Sequence, residues 1–86
     1  MREYIYKHNF FAKKHLNYYV ARNILFKEGY KMVDYEPDWK TTKIGIVKFS
    51  DGICDIILRT DMIPSKTYPS KLVCNKIMDV SEWTDD

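Results

Sequence analysis

The side chains that could carry chemistry are few and scattered. Histidine occurs at His8 and His15 and cysteine at Cys54 and Cys74, in a chain of 86 residues. Their spacings match no zinc pattern, and neither cysteine belongs to a C-x-x-C pair. Two isolated thiols are too few for a disulfide framework and read as buried free cysteines in a reducing compartment. Pro37-Asp38 followed by Asp55 is the nearest approach to a nuclease's acidic set. The acidic-x-Lys expected on the next strand is missing, so Asp55 reads as a carboxylate on a strand's solvent face. Glycine-rich phosphate loops are absent, and no Ser/His/Asp or Cys/His set can be argued. The expectation is a protein that is not an enzyme and binds neither metal nor cofactor.

A second chemistry is available to the cations and aromatic rings of the first third. Lys7, Lys13, Lys14, Arg22, Lys27 and Lys31 alternate with Tyr4, Tyr6, Tyr18 and Tyr19. Such interleaving suits a nucleic acid, with the cations on phosphates and the rings stacked on bases. Residues 1–31 carry a net charge of +5, although the whole chain carries only +2. The acidic ending SEWTDD and a pI of about 8.5 make nucleic acid the alternative rather than the leading partner.

The leading expectation is a protein partner. Seven tyrosines cannot all be buried with satisfied hydroxyls, and exposed Tyr, Trp and Arg are the residues from which binding hot spots are built. The contact surface predicted here combines Lys14, Tyr18, Tyr19 and Arg22 with Trp39, which sits in the turn-like segment EPDWK. Trp83 is a second anchor or a tether for the C-terminus. Lys, Ile, Tyr, Asn, Phe and Met are favoured, Ala occurs twice and Gln is absent, a bias toward AT-rich codons. Together these features point to a small non-enzymatic binding protein, encoded by a phage or mobile element, that modulates or inhibits a host protein.

These residues need elements to position them. Asn9 reads as an N-cap and Gly29 as a C′ residue, which predicts one helix over 10–28. Phe11, Tyr18 and Leu25 form one stripe, while Ala12, Leu16, Val20 and Ile24 form another on a different face. One row can meet the core, and Leu16, Val20 and Ile24 are a candidate homodimer interface. A strand over 30–36 is stopped by Pro37, and the runs 42–49 and 53–60 flank Ser50-Asp51-Gly52 as a hairpin with a type I′ turn. Residues 61–70 read as a loop. The segment 71–83 places Val73, Ile77 and Val80 on one helical face, or Leu72, Cys74, Met78 and Val80 on one side of a strand, with helix slightly favoured.

The expected fold is a single α+β domain over 1–86: a long N-terminal helix packed on a small three-stranded antiparallel sheet, with a C-terminal helix or fourth strand. The order α-β-β-β-α is also that of double-stranded-RNA-binding domains. Ser70-Lys71-Leu72-Val73 lacks their lysine-rich signature, so the chain shows no resemblance to that family. No apolar run approaches the ~18 residues of a membrane span. MREYIYKHNFF has no signal-peptide core. A cytoplasmic protein with no membrane partner is expected, in the host cytoplasm if phage-encoded.

Overall fold

The hairpin at Asp51-Gly52 lies in the middle of a larger sheet than the sequence predicts. The computed structural model describes residues 2–38 and 43–85. Its strands are β1 (Arg2–Ile5), β2 (Lys31–Asp38), β3 (Ile44–Ser50), β4 (Cys54–Pro64) and β5 (Leu72–Asp85). They form one antiparallel sheet in the order β1-β5-β4-β3-β2. Helices α1 (Phe10–Lys13) and α2 (Tyr18–Lys27) pack on one face. The long helix on a three-stranded sheet is therefore overturned by a five-stranded sheet carrying two short helices.

The helix breaks because its middle is used for pairing with β5. Asn17 bridges to Lys76, and Leu16 accepts the Ile77 N–H at 2.8 Å. His15 takes a left-handed φ of 47°, and Asn17 then caps α2 by accepting the Tyr19 N–H at 2.9 Å. Asn9, by contrast, makes no side-chain cap bond. The C-terminal reading holds: Gly29 has φ 94°, and the N–H groups of Gly29 and Tyr30 return to Phe26 and Leu25.

The segment 71–83 is a strand, and its misleading pattern has a local cause. In β5 the buried residues are Cys74, Ile77, Val80 and Glu82, paired across to Met62, Thr60, Leu58 and Ile56. Register shifts on either side of Thr60 insert extra residues into β5, so its inward spacing becomes three, three, two. Three-residue spacing imitates a helix face. β4 also runs on to Pro64, through the first four residues of the expected loop. The N-terminal residues supply a strand the sequence reading omits, with Tyr4 opposite Trp83.

The hairpin itself stands, with a different turn. Gly52 alone among Asp51–Ile53 has positive φ. The Asp51 carboxylate accepts the N–H groups of Cys54 and Ile53 at 2.7 and 2.8 Å, which holds its carboxyl below the usual range.

The core lies between the helices and one sheet face. Phe11, Ala21 and Leu25 meet Val47, Phe49, Ile56, Leu58 and Ile77, all fully buried. The other face carries ion pairs, Arg2 and Lys48 on Asp55 and Arg59 on Asp79, as expected of an antiparallel sheet covered on one side only. The Asp55 carboxyl is lowered by hydrogen bonding from Ser50 and by Arg2 and Lys48. Among the described residues no helix is long and apolar enough to cross a membrane.

Candidate functional site

The helices leave one end of the core face uncovered. There, the first turns of α2, the middle of β2 and the start of β5 enclose a groove of about 230 Å³ lined by Tyr18, Tyr19, Arg22, Met32, Tyr35, Leu72, Val73 and Cys74. Because of the register shift between Met32 and Asp34, both Met32 and Tyr35 stand opposite core residues, Phe49 and Val47, and so face the helix side. Gly45 opens the floor between them and β5. A Cβ at that position would lie 2.7 Å from Cys74 Sγ and 3.0 Å from Thr60 Oγ1. With no side chain there, the Cys74 thiol reaches the Tyr35 hydroxyl at 4.0 Å. Gly45→Ala should lower stability by about 1–3 kcal/mol through this overpacking. Denaturant titration checks it, and a midpoint equal to that of the parent chain would show that the neighbours give way freely.

Arg22 stands at the lip of the groove. Its guanidinium carbon lies 4.8, 5.6 and 6.0 Å from the ring centroids of Tyr19, Phe26 and Tyr18. Ring quadrupoles attract the cation and keep it over the aromatic face. Its Nε is buried with no hydrogen-bond partner, and no carboxylate among the described side chains, which exclude those of residues 36–38, pairs with it. Tyr19 and Phe26 remain exposed beside it. Burial pushes the phenols of Tyr18 and Tyr35 up to about 12, the latter also through the neighbouring Cys74, so both remain neutral hydroxyls at physiological pH.

Three of the five residues selected from sequence thus share one groove. Lys14 ends α1 in an exposed position and is not among the lining residues. Trp39 lies outside the described residues. Sequence reasoning missed Met32, Tyr35, Leu72, Val73 and Cys74, which only the sheet brings together. One signal was available, since Gly45 inside a β-branched run marks a close approach. In the proposed dimer row, Leu16 and Ile24 pack partly against the core and only Val20 stands out, half exposed. Among the cations, Lys7 pairs with Glu28 at 3.8 Å, while Lys13 and Lys14 are exposed. The Tyr4 hydroxyl is committed to the Val80 carbonyl at 2.7 Å.

His8 and Glu82 form a second polar cluster, enclosed rather than open. Both are fully buried. Nδ1–H of His8 donates to Glu82 Oε1, Nε2–H donates to Glu28 Oε2 at 2.6 Å, and the His8 backbone N–H donates to Glu82 Oε2 at 2.7 Å. Each ring nitrogen faces a carboxylate, so the imidazolium is the form that satisfies both. Burial opposes the charge, but the hydrogen bonds from Glu82 and Glu28 outweigh it and raise the imidazole above its ordinary range. With both ring nitrogens engaged and His8 and Glu82 fully buried, this cluster holds elements together and offers no ligand site. Among the described residues no group of three or more His, Cys, Asp or Glu is arranged to hold a metal ion. Comparison with protein-family models, with curated proteins and with solved structures finds no match to this chain.

Proposed function

We propose that this chain is a small non-enzymatic binding protein that receives a segment of another protein in the groove beside α2. The observation that carries this reading is an arginine with no anionic partner among the described side chains, stacked on aromatic rings at the mouth of an apolar groove. Arginine and tyrosine at the edge of a concave apolar patch are the composition of a hot spot. The groove has room for about one large side chain, below the several hundred Å³ of a cofactor or drug-sized site. With the AT-rich codon bias, this fits a phage- or mobile-element-encoded modulator of a host protein.

Selection from a random peptide library tests the reading. Enriched peptides should lose about tenfold or more in affinity against Tyr19→Ala, a truncation of an exposed side chain, with an unchanged far-UV circular dichroism spectrum as the control for folding. Peptides held equally by both proteins would place binding elsewhere and sink it. In parallel, fluorescence anisotropy with duplex DNA at ~50 and ~200 mM salt should show no salt-steep binding. Five phosphate contacts would weaken affinity several hundred-fold over that range. Such a loss, abolished by Lys13→Ala with Lys14→Ala, would replace the protein partner with a nucleic acid.

A further inference from the structure

The groove's lining states what its occupant should look like. Of the eight described lining residues only Arg22 is charged, and the rest are aromatic, aliphatic or sulfur-bearing. An apolar side chain of the partner suits the volume. The guanidinium needs something else, because a buried donor without an acceptor is costly, its Nε–H is one, and cation–π contact supplies no acceptor. Among the described side chains, five carboxylates are engaged elsewhere. Glu28 and Glu82 hold His8, and Asp55 and Asp79 hold arginines on the opposite face. Asp61 accepts from Asn75 and from the Lys76 N–H.

The neighbouring sheet edge narrows the choice further. β2 is an edge strand, and its exposed Met32, Val33 and Tyr35 would invite a sixth strand. Three features blunt it. The register shifts between Met32 and Asp34, the Asp34 carboxylate takes the Tyr35 N–H at 2.8 Å, and Pro37 has no N–H to offer. Recognition therefore falls to side chains in the groove and not to a backbone ladder.

We propose that the groove takes a peptide segment of the partner in which one large apolar side chain fills the cavity and an adjacent carboxylate pairs with Arg22. This rests on the protein-binding reading and specifies its ligand. A guanidinium already oriented by stacking presents a planar fork to a carboxylate, which a lysine could not do. The net +5 of residues 1–31 adds attraction for an acidic segment.

The test uses capped hexapeptides followed by ¹⁵N–¹H NMR titration of the intact chain. One set has Phe, Leu, Ile, Met or Trp flanked by aspartates, a second replaces the aspartates with asparagines, and a third replaces the apolar residue with alanine. The best acidic apolar peptide should bind about tenfold or more tightly than its asparagine and alanine counterparts at ~50 mM salt, a charge-assisted contact's worth. Shifts should centre on Tyr19, Arg22, Met32, Tyr35 and Cys74. Arg22→Gln should remove the preference for aspartate over asparagine, and Arg22→Lys should restore only part of it. Equal binding of aspartate and asparagine peptides in the groove would overturn the carboxylate inference while leaving the protein-binding reading intact. Absence of groove shifts with every apolar peptide would overturn both.

Discussion

Glu82→Ala should lower the free energy of unfolding by about 3–5 kcal/mol, because it strands a buried imidazolium. The carboxylate takes two donors from one residue, the ring Nδ1–H and the backbone N–H of His8, from a fully buried position on β5. Glu82→Gln keeps the shape but has a single acceptor, so one His8 donor would face an amide NH₂. Its cost should be about 1–3 kcal/mol, that of one unsatisfied buried group. Domains of this size have roughly 5–15 kcal/mol in total, so the alanine variant should be partly unfolded on mild heating. Denaturant titration of both variants measures this, and a loss under about 1 kcal/mol for Glu82→Ala would show that His8 is held neutral.

The same pair gives stability a pH dependence with a definite sign. The folded protein keeps the His8 proton to higher pH than the unfolded chain does, because its imidazole is raised by Glu82 and Glu28. The contribution is fully present below the unfolded value, about 6.5, and is lost as pH rises through the raised folded value. In that window the folded state binds one more proton, so stability falls by up to about 1.4 kcal/mol per pH unit. His8→Gln should abolish this slope. Identical slopes for His8→Gln and the parent chain between pH 6 and 8.5 would sink the account.

Phe11→Ala should be the most damaging apolar truncation, at about 3–5 kcal/mol. α1 has four residues and cannot stand alone, since isolated helices shorter than about 12 residues are marginal. Phe11 is its one fully buried side chain, and its ring packs edge-to-face with Phe10 at 4.6 Å and tilted against the His8 ring at 5.1 Å. Removing it should release residues 6–17 from β5 along with the cover over Glu82. Phe11→Ala and Glu82→Ala should therefore combine to less than the sum of their separate costs, since they share a contact. Amide hydrogen exchange would read this directly, as lost protection at Leu16 and Ile77 with β3 and β4 still protected. Uniform loss of protection would mean that α1 is inseparable from global folding.

How far the fold was legible depended on whether a signal was local. The β3–β4 hairpin could be read because Asp51 and Gly52 carry their own turn chemistry and flank β-branched runs. The end of α2 could be read because Gly29 supplies the positive φ that closes a helix. Its beginning could not: Phe10–Glu28 is a periodic, well-formed helix pattern, and what divides it is a backbone bond from Ile77 to Leu16, far apart in sequence. β5 was misread for a related reason, because the extra residues beside Thr60 convert a strand's period of two into three.

The candidate site divides the same way. Composition and helix position were enough to select Tyr18, Tyr19 and Arg22, since all three lie within one turn and a half of the same helix. Glu82 read as part of an acidic tail, and nothing local distinguishes it from Asp79 or Asp85; only the sheet register turns it inward toward His8. The sequence alone thus determined which residue types are available for binding, one hairpin and one helix end, because those follow from short-range sterics and hydrogen bonding. Tertiary structure decided the strand count, the broken helix, the buried ion pair and the far wall of the groove, because each requires residues distant in sequence to satisfy one another's backbone or charge.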